Sequence, residues 1–166
     1  MSSNGMKTGF WGPHAWGFLF SSIAGTYPVR VDMSNKEHIR TVKAFQNMFK
    51  SLEHTLPCIY CRQSYGKFIK ELPLSSYEHS RQGMMQWLYL IHDRVNEKLI
   101  KQEKECYEAE KHKLTTKKMT PAQLKSALKM LKSDIMKTKP SPSFERVVTM
   151  YEKQRAKCRK KTNRCS

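Results

Sequence analysis

Apolar side chains recur every three or four residues through most of the first hundred positions of this 166-residue chain, the spacing of helices that bury one face. Trp16, Leu19, Phe20, Ile23 and Ala24 form the first stripe. Gly12-Pro13 precedes it and Thr26-Tyr27-Pro28 closes it. The spacing predicts a helix opening at Pro13, a residue suited to the first helical position. Ile39, Val42, Phe45, Phe49 and Leu52 predict a second helix, with Ser34 or Asn35 as its start signal. A third opens at Pro57, carries Tyr65, Phe68, Ile69 and Leu72, and stops at Pro73. A fourth runs from about Ser80 to Leu99, with Leu88, Ile91, Val95 and Leu99 along one face and Trp87 and His92 flanking it. Strand patterns are almost absent. The expectation is an all-α fold: a four-helix bundle, a short fifth helix, and a basic helical C-terminal extension.

Beyond residue 100 the apolar pattern thins. Residues 101–113 are charged and continue a helix. Thr120-Pro121-Ala122-Gln123 has the form of a capping box with proline at the first helical position. Leu124, Leu128 and Leu131 then give a narrow stripe that Pro140 and Pro142 end. Phe144, Val147, Val148 and Tyr151 start a last helix before a basic tail. Charge follows the same division. Residues 1–99 carry 12 Lys/Arg and 7 Asp/Glu, whereas residues 100–166 carry 19 and 7. The expected organisation is a compact domain over 1–105 and a loosely packed basic extension over 106–166. Such an extension attracts an anionic partner: nucleic acid, acidic protein or anionic lipid.

No run of roughly 18 apolar residues is present, so no membrane span is expected. The opening MSSNGMKTGFWGPH lacks the apolar core of a signal peptide. Five cysteines are too few, and odd in number, for a disulfide-scaffolded secreted module. Together these lead to the expectation of a chain kept in the cytosol or nucleus, a reducing setting in which a close cysteine pair reads as redox or metal chemistry more than as a staple.

That pair is Cys58-Ile59-Tyr60-Cys61, after Pro57 and at the start of the third helix. A sulfur there faces free backbone N–H groups and the positive end of the helix dipole, which suits a thiolate. Spacing alone leaves three readings open: a redox-active disulfide, part of a zinc site, or inert thiols. His54, Cys58 and Cys61, with His79 or Cys106 as a fourth ligand, make the zinc version; zinc sites ordinarily show two ligand pairs, and only one is present. Trp11-Gly12-Pro13-His14-Ala15-Trp16 and Trp87-x4-His92-x2-Val95-Asn96-x2-Leu99-x-Lys101 flank the pair in sequence. Separately each reads as core packing. Together they describe aromatic faces able to sandwich a flat ring, His92 and Asn96 one turn apart to hydrogen-bond it, and Lys98 and Lys101 to meet phosphates. Neither G-x-G-x-x-G nor G-x-x-x-x-G-K-[ST] occurs, so no Rossmann or P-loop site is signalled.

The order WGPxxW, YP, PCxxC and WxxxxHxxVNxxLxK, over about residues 10–101, resembles the Erv/ALR family of FAD-linked sulfhydryl oxidases, and most of all its minimal forms in large DNA viruses. The resemblance implies an Erv/ALR-like helical bundle, usually a homodimer, with FAD as cofactor and no catalytic metal. It implies that Cys58 and Cys61 form the catalytic disulfide. It implies that Gly12, Trp16, Phe20, Trp87, His92, Val95, Asn96, Lys98, Leu99 and Lys101 form the FAD site. Thiol-containing substrate proteins would give electrons to the Cys58–Cys61 disulfide, at Cys58 as the sulfur nearer the helix start and solvent. Cys61 would stand against the flavin, and O2 would accept the electrons as H2O2.

The chain departs from the family pattern at several positions. Phe20 stands where a histidine is common, Asp93 where an asparagine is usual, and Leu56 where an aromatic is common. Cys106 lacks the partner of the structural C-x16-C. Cys158-x6-Cys165 is a candidate shuttle pair of the kind many members carry on a flexible arm, with stray thiols as the plain alternative. The competing function is a basic zinc- or nucleic-acid-binding module in which the CxxC is structural.

Overall fold

The computed structural model describes residues 4–155 and the backbone of residues 158–159 and 164–165. Its helices are α1 (Thr8–Thr26), α2 (Lys36–Thr55), α3 (Ile59–Glu71), α4 (Arg81–Thr115), α5 (Pro121–Ile135) and α6 (Phe144–Lys153), with a short 3-10 turn at Leu74–Ser76. The described strands, β1 (Cys158–Arg159) and β2 (Arg164–Cys165), are two residues each and pair antiparallel. The all-α expectation holds for everything that forms a core. Among the described residues no helix is long and apolar enough to cross a membrane.

Local chemistry explains most boundaries. The Asn35 side chain caps α2 by accepting the Glu37 and His38 N–H groups. Cys58 occupies the capping position of α3. Thr120 and Gln123 form the reciprocal capping box at α5, with Pro121 in its first turn. One boundary corrects the sequence reading: α1 starts at Thr8, so Pro13 lies inside it. A proline there removes the bond to the carbonyl four residues back, on Gly9, and its ring crowds that carbonyl. Gly9 is exposed, so water can take that carbonyl.

Contacts divide the chain into residues 1–91 with 142–166, and residues 92–141. This differs from the expected division at residue 105, and α6 supplies the reason. Instead of trailing loosely it packs on α1, burying Val147, with Phe144, Val148 and Tyr151 against the same core. In this first unit, α1, α2, α3 and the start of α4 surround Ile23, Tyr27, Phe49, Met84, Trp87, Leu88 and Ile91. The Phe49 and Trp87 rings meet edge to face at 4.7 Å, and Tyr27 meets Phe45 at 5.1 Å. Buried hydroxyls are satisfied: Tyr65 donates to the Phe49 carbonyl and Tyr27 to that of Glu78. Burial, with the nearby carboxylates of Glu53 and Glu78, raises both phenol pKa values.

The second unit holds α4 from His92 onward, α5 and a returning segment, 136–141. That segment is fastened twice to α4. The Glu103 carboxylate accepts the Thr138 N–H at 2.9 Å and its hydroxyl at 2.6 Å. Three residues on, the Ser141 hydroxyl accepts the Asn96 amide at 2.9 Å. Glu103 to Asn96 is seven helical residues, about 10 Å at roughly 1.5 Å each. Thr138 to Ser141 is three residues, about 10 Å when extended. The matching spans make this segment an extended strap running antiparallel to α4.

Candidate active site

Cys58 and Cys61 are both free thiols. Cys58 precedes the first turn of α3, and its sulfur accepts the Cys61 N–H at 3.3 Å. Its carbonyl accepts from Cys61 and Arg62, while the Arg62 guanidinium holds the Leu56 carbonyl at 2.6 Å. The loop into α3 is thereby pinned on both sides of Pro57. The expectation that Cys58 faces solvent is reversed: Cys58 is buried at 8% exposure, and Cys61 is the half-exposed partner. One contributor is a segment that sequence spacing did not single out. Gly5 forms an antiparallel bridge with Cys58, with Met6 N–H donating to the Pro57 carbonyl at 2.6 Å and Ile59 N–H to the Asn4 carbonyl at 3.2 Å.

The aromatic residues singled out on α1 and early α4 are in or against the core of the first unit. Trp16 is half-buried and packs on it. Phe20 is buried and stacks on Tyr151 of α6, with centroids 5.2 Å apart and planes 19° from parallel. Trp87 is fully buried and its indole N–H donates to the Leu72 carbonyl at 2.9 Å, holding the end of α3. Gly12 is half-buried, with open space where a Cβ would project. Its neighbour Trp11 is the orphan: its indole nitrogen is buried without a hydrogen-bond partner. A buried donor of this kind costs free energy until an acceptor meets it.

In the second unit, His92 and Asn96 lie one turn apart and share Ser141, whose hydroxyl is 2.9 Å from the Asn96 amide nitrogen and 3.4 Å from His92 Nδ1. Burial pushes the His92 pKa below the ordinary imidazole value, against a smaller raising effect of Asp93. Val95, Lys98 and Leu99 are half-buried, and Lys101 is exposed, 4.0 Å from Glu105. Cys106 is an exposed free thiol. Among the described residues no group of three His, Cys, Asp or Glu side chains converges on a metal position, so the zinc reading of His54, Cys58, Cys61 and His79 or Cys106 finds no ligand set. The side chains of Cys158 and Cys165 lie outside the described residues; their backbones are register partners across β1 and β2.

Comparison with known proteins places the chain in a family. The family model for the Erv1/Alr family matches residues 13–117. The chain belongs to the Erv1/Alr family. The match takes in both cysteines of the CxxC, Trp16, Phe20, Trp87 and the His92–Lys101 run; it leaves out Gly12 and the Cys158/Cys165 pair. A curated relative, the mitochondrial FAD-linked sulfhydryl oxidase ERV1 of Saccharomyces cerevisiae, is 31% identical over 88 residues. Those residues are 53% of this chain and 42% of the yeast protein, so the chain spans less than half the length of that relative.

Against the Erv1/Alr match, three features come from outside the motifs: the arm of residues 4–6 on Cys58, Tyr151 on Phe20, and Ser141 between His92 and Asn96. The latter two lie beyond residue 117 and thus beyond the family match. A hydrophobic period announces Tyr151 as a core residue but not its partner. A lone serine between two prolines gives no sign of its contact.

Proposed function

We propose that this chain is an FAD-dependent sulfhydryl oxidase that forms disulfide bonds in substrate proteins through Cys58 and Cys61. The observation that carries the reading is the pair of free thiols at the start of α3, inside the region matching the Erv1/Alr family. Two residues separate the sulfurs, and the Cys61 N–H already points at Cys58 Sγ, so charge left on Cys58 in an exchange meets a backbone donor.

The residues named for the cofactor have the chemistry it needs. In the first unit, a partnerless buried indole N–H on Trp11 next to Gly12 and the Trp16 ring suit a flat heteroaromatic; in the second, the His92 imidazole and Asn96 amide one turn apart, with cations at Lys98 and Lys101, suit a hydrogen-bonding ring edge and a diphosphate. When bound, FAD supplies the two-electron acceptor that a dithiol lacks and the route to O2. The protein's own steps are thiol exchange. A substrate thiolate attacks Cys58 of the oxidised pair; the new S–S bond forms as the Cys58–Cys61 bond breaks, and Cys61 leaves as a thiolate. A second substrate thiolate then attacks the substrate sulfur of the mixed disulfide and releases Cys58. Overall, two thiols and O2 give one disulfide and H2O2.

Three further parts belong to this reading. Cys158 and Cys165 act as the shuttle pair; directly opposed strand residues sit about 4.5–5.5 Å apart at Cα, inside the range a disulfide spans. Two copies associate through the outer face of α1, where Phe10 and Phe18 are 68% and 63% exposed. The exposed lysines 125, 129 and 132 of α5, spaced along one helix face, serve an anionic partner.

The test is direct. Purified protein should show the visible absorption of oxidised flavin and consume O2 when given dithiothreitol. Cys58→Ala and Cys61→Ala should each abolish that consumption while flavin stays bound. A colourless protein that takes up no added FAD, or full activity in either variant, ends the oxidase reading.

A further inference from the structure

The arm over Cys58 has the geometry of a bound peptide. It makes both hydrogen bonds of an antiparallel bridge to the strand-like loop Pro57–Ile59: Met6 N–H to the Pro57 carbonyl, and Ile59 N–H to the Asn4 carbonyl. In that pattern the two central residues, Gly5 and Cys58, form a non-hydrogen-bonded pair. Such pairs are the closest-spaced in antiparallel sheets, about 4.5 Å between Cα atoms. A disulfide requires Cα separations of about 4.4–6.8 Å. A strand of ordinary extended backbone in this register would hold a residue facing Cys58 at a separation that a disulfide can span, whereas the arm itself departs from that backbone at Gly5. Position 5 of the arm is a glycine and offers no thiol.

The arm also fits imperfectly in a way that only glycine tolerates. Gly5 has φ of +99°, and a Cβ built on it would collide with the Pro57 carbonyl oxygen and press on Cys58 Cα. Beyond the bridge, residues 4–10 are all exposed, including Met6 and Phe10. The two backbone hydrogen bonds of the bridge fasten it to Pro57–Ile59. It is a cover that a competing strand can displace.

The geometry points to Pro57–Ile59 as a docking edge for substrate: a protein segment of ordinary extended backbone that pairs with the Pro57 carbonyl and the Ile59 N–H, sets its own cysteine opposite Cys58, and displaces residues 4–6, which cover the same edge on the positive-φ backbone of Gly5. The inference rests on the thiol-oxidase reading. It makes unfolded or strand-edge segments the preferred substrates, because only these offer free backbone groups. It also offers a route to attack at a buried Cys58, since the segment that takes the place of the arm brings its own thiol to that position. The exchange is balanced as before: the substrate sulfur bonds to Cys58, the Cys58–Cys61 bond breaks, and Cys61 carries away the charge.

Gly5→Val and Met6→Pro in the full chain test it, the first by filling the space against Pro57 and the second by removing the N–H donor. In the reduced protein, alkylation of Cys58 by iodoacetamide, mapped by mass spectrometry against exposed Cys106 as the internal standard, should speed up about 3- to 10-fold in both variants. With the oxidised, flavin-loaded protein, KM for a reduced unfolded protein should fall by a similar factor, and by clearly more than KM for dithiothreitol, which has no backbone to pair. Unchanged Cys58 alkylation in both variants overturns the inference. Equal gains for the two substrates also overturn it, reducing the arm to a lid with no peptide seat beneath. Alkylation needs neither flavin nor turnover. A failure of the oxidase reading itself would show separately, as activity surviving in Cys58→Ala or Cys61→Ala.

Discussion

The two units of this chain are held together by different physics. Among the described residues, every buried side chain belongs to residues 1–91 or 142–155, and residues 92–141 contain none. The first unit is an interlocked aromatic and aliphatic core: Tyr27 on Phe45, Phe49 on Trp87, Phe20 on Tyr151. The second is a helix, a second helix with its own capping box, and a strap fastened by carboxylate and hydroxyl contacts. Burial makes the first cooperative, because each core residue supports several others. Polar clasps make the second modular, because each contact can open while the rest persist. The CxxC lies in the first unit and the His92–Asn96 pair in the second, so the two halves of the proposed chemistry rest on foundations of unequal strength.

The sharpest way to break this contrast is Phe49→Ala. Its ring is 2% exposed and touches both Phe45 and Trp87. Truncation leaves a cavity and costs about 3–5 kcal/mol, which for a chain of this size lowers the melting temperature by roughly 10 °C or more. A shift of only a degree or two by calorimetry would mean that the first unit is not the cooperative core. Trp87→Phe comes next. It keeps most of the packing but strands the Leu72 carbonyl at the end of α3, a loss of about 1–3 kcal/mol. Its second signature is faster hydrogen exchange at the C-terminal turn of α3, which a packing defect alone would not concentrate there.

What was legible in the sequence follows the same line. Ile23, Phe45, Phe49, Leu88 and Ile91 announce themselves by helical period, because burial of one face needs that period. Caps at Asn35 and Thr120 are legible because they are local. Pro13 misled, since the helix begins five residues before it and the proline sits in its second turn. The CxxC was legible as chemistry, but not the exposure of its sulfurs, which depends on residues 4–6 arriving from some fifty positions away. His92 and Asn96 could be paired from their spacing. Ser141 could not, because a contact across some 45 residues made by one hydroxyl leaves no periodic trace.

Glu103→Ala probes the clasp that the second unit substitutes for a core. It removes the acceptor of both the Thr138 N–H and the Thr138 hydroxyl. Hydrogen bonds to a charged group are worth about 1.5–3 kcal/mol, so exchange at the Thr138 amide should accelerate about 10- to 100-fold. The melting temperature of the first unit should stay within about 1 °C, because no buried apolar surface is touched. A global loss of stability as large as that of Phe49→Ala would erase the distinction between the units.

Ser141→Ala is the finest test and carries the smallest effect, about 1 kcal/mol, or some five-fold in any equilibrium that depends on the contact. Asn96 donates through its amide nitrogen to the Ser141 oxygen, and the expectation tested is that the Ser141 hydrogen goes to His92 Nδ1, one of the two roles that this contact allows. That arrangement keeps the remaining ring proton on Nε2, and 15N shifts of His92 report it directly. Removing the hydroxyl should mix the two tautomers, and Ser141→Thr should restore the single form. Acid should act in the same direction as the truncation. The His92 pKa in the fold lies below its ordinary value, so the unfolded strap state binds the extra proton more readily, and the clasp loses stability as pH falls through about 6.5 and below. A protonated ring can no longer accept from Ser141 at Nδ1, which gives the same sign by geometry. If the His92 tautomer is the same in Ser141→Ala as in the parent, the strap touches the ring without orienting it, and the second unit contributes His92 and Asn96 by helix spacing alone.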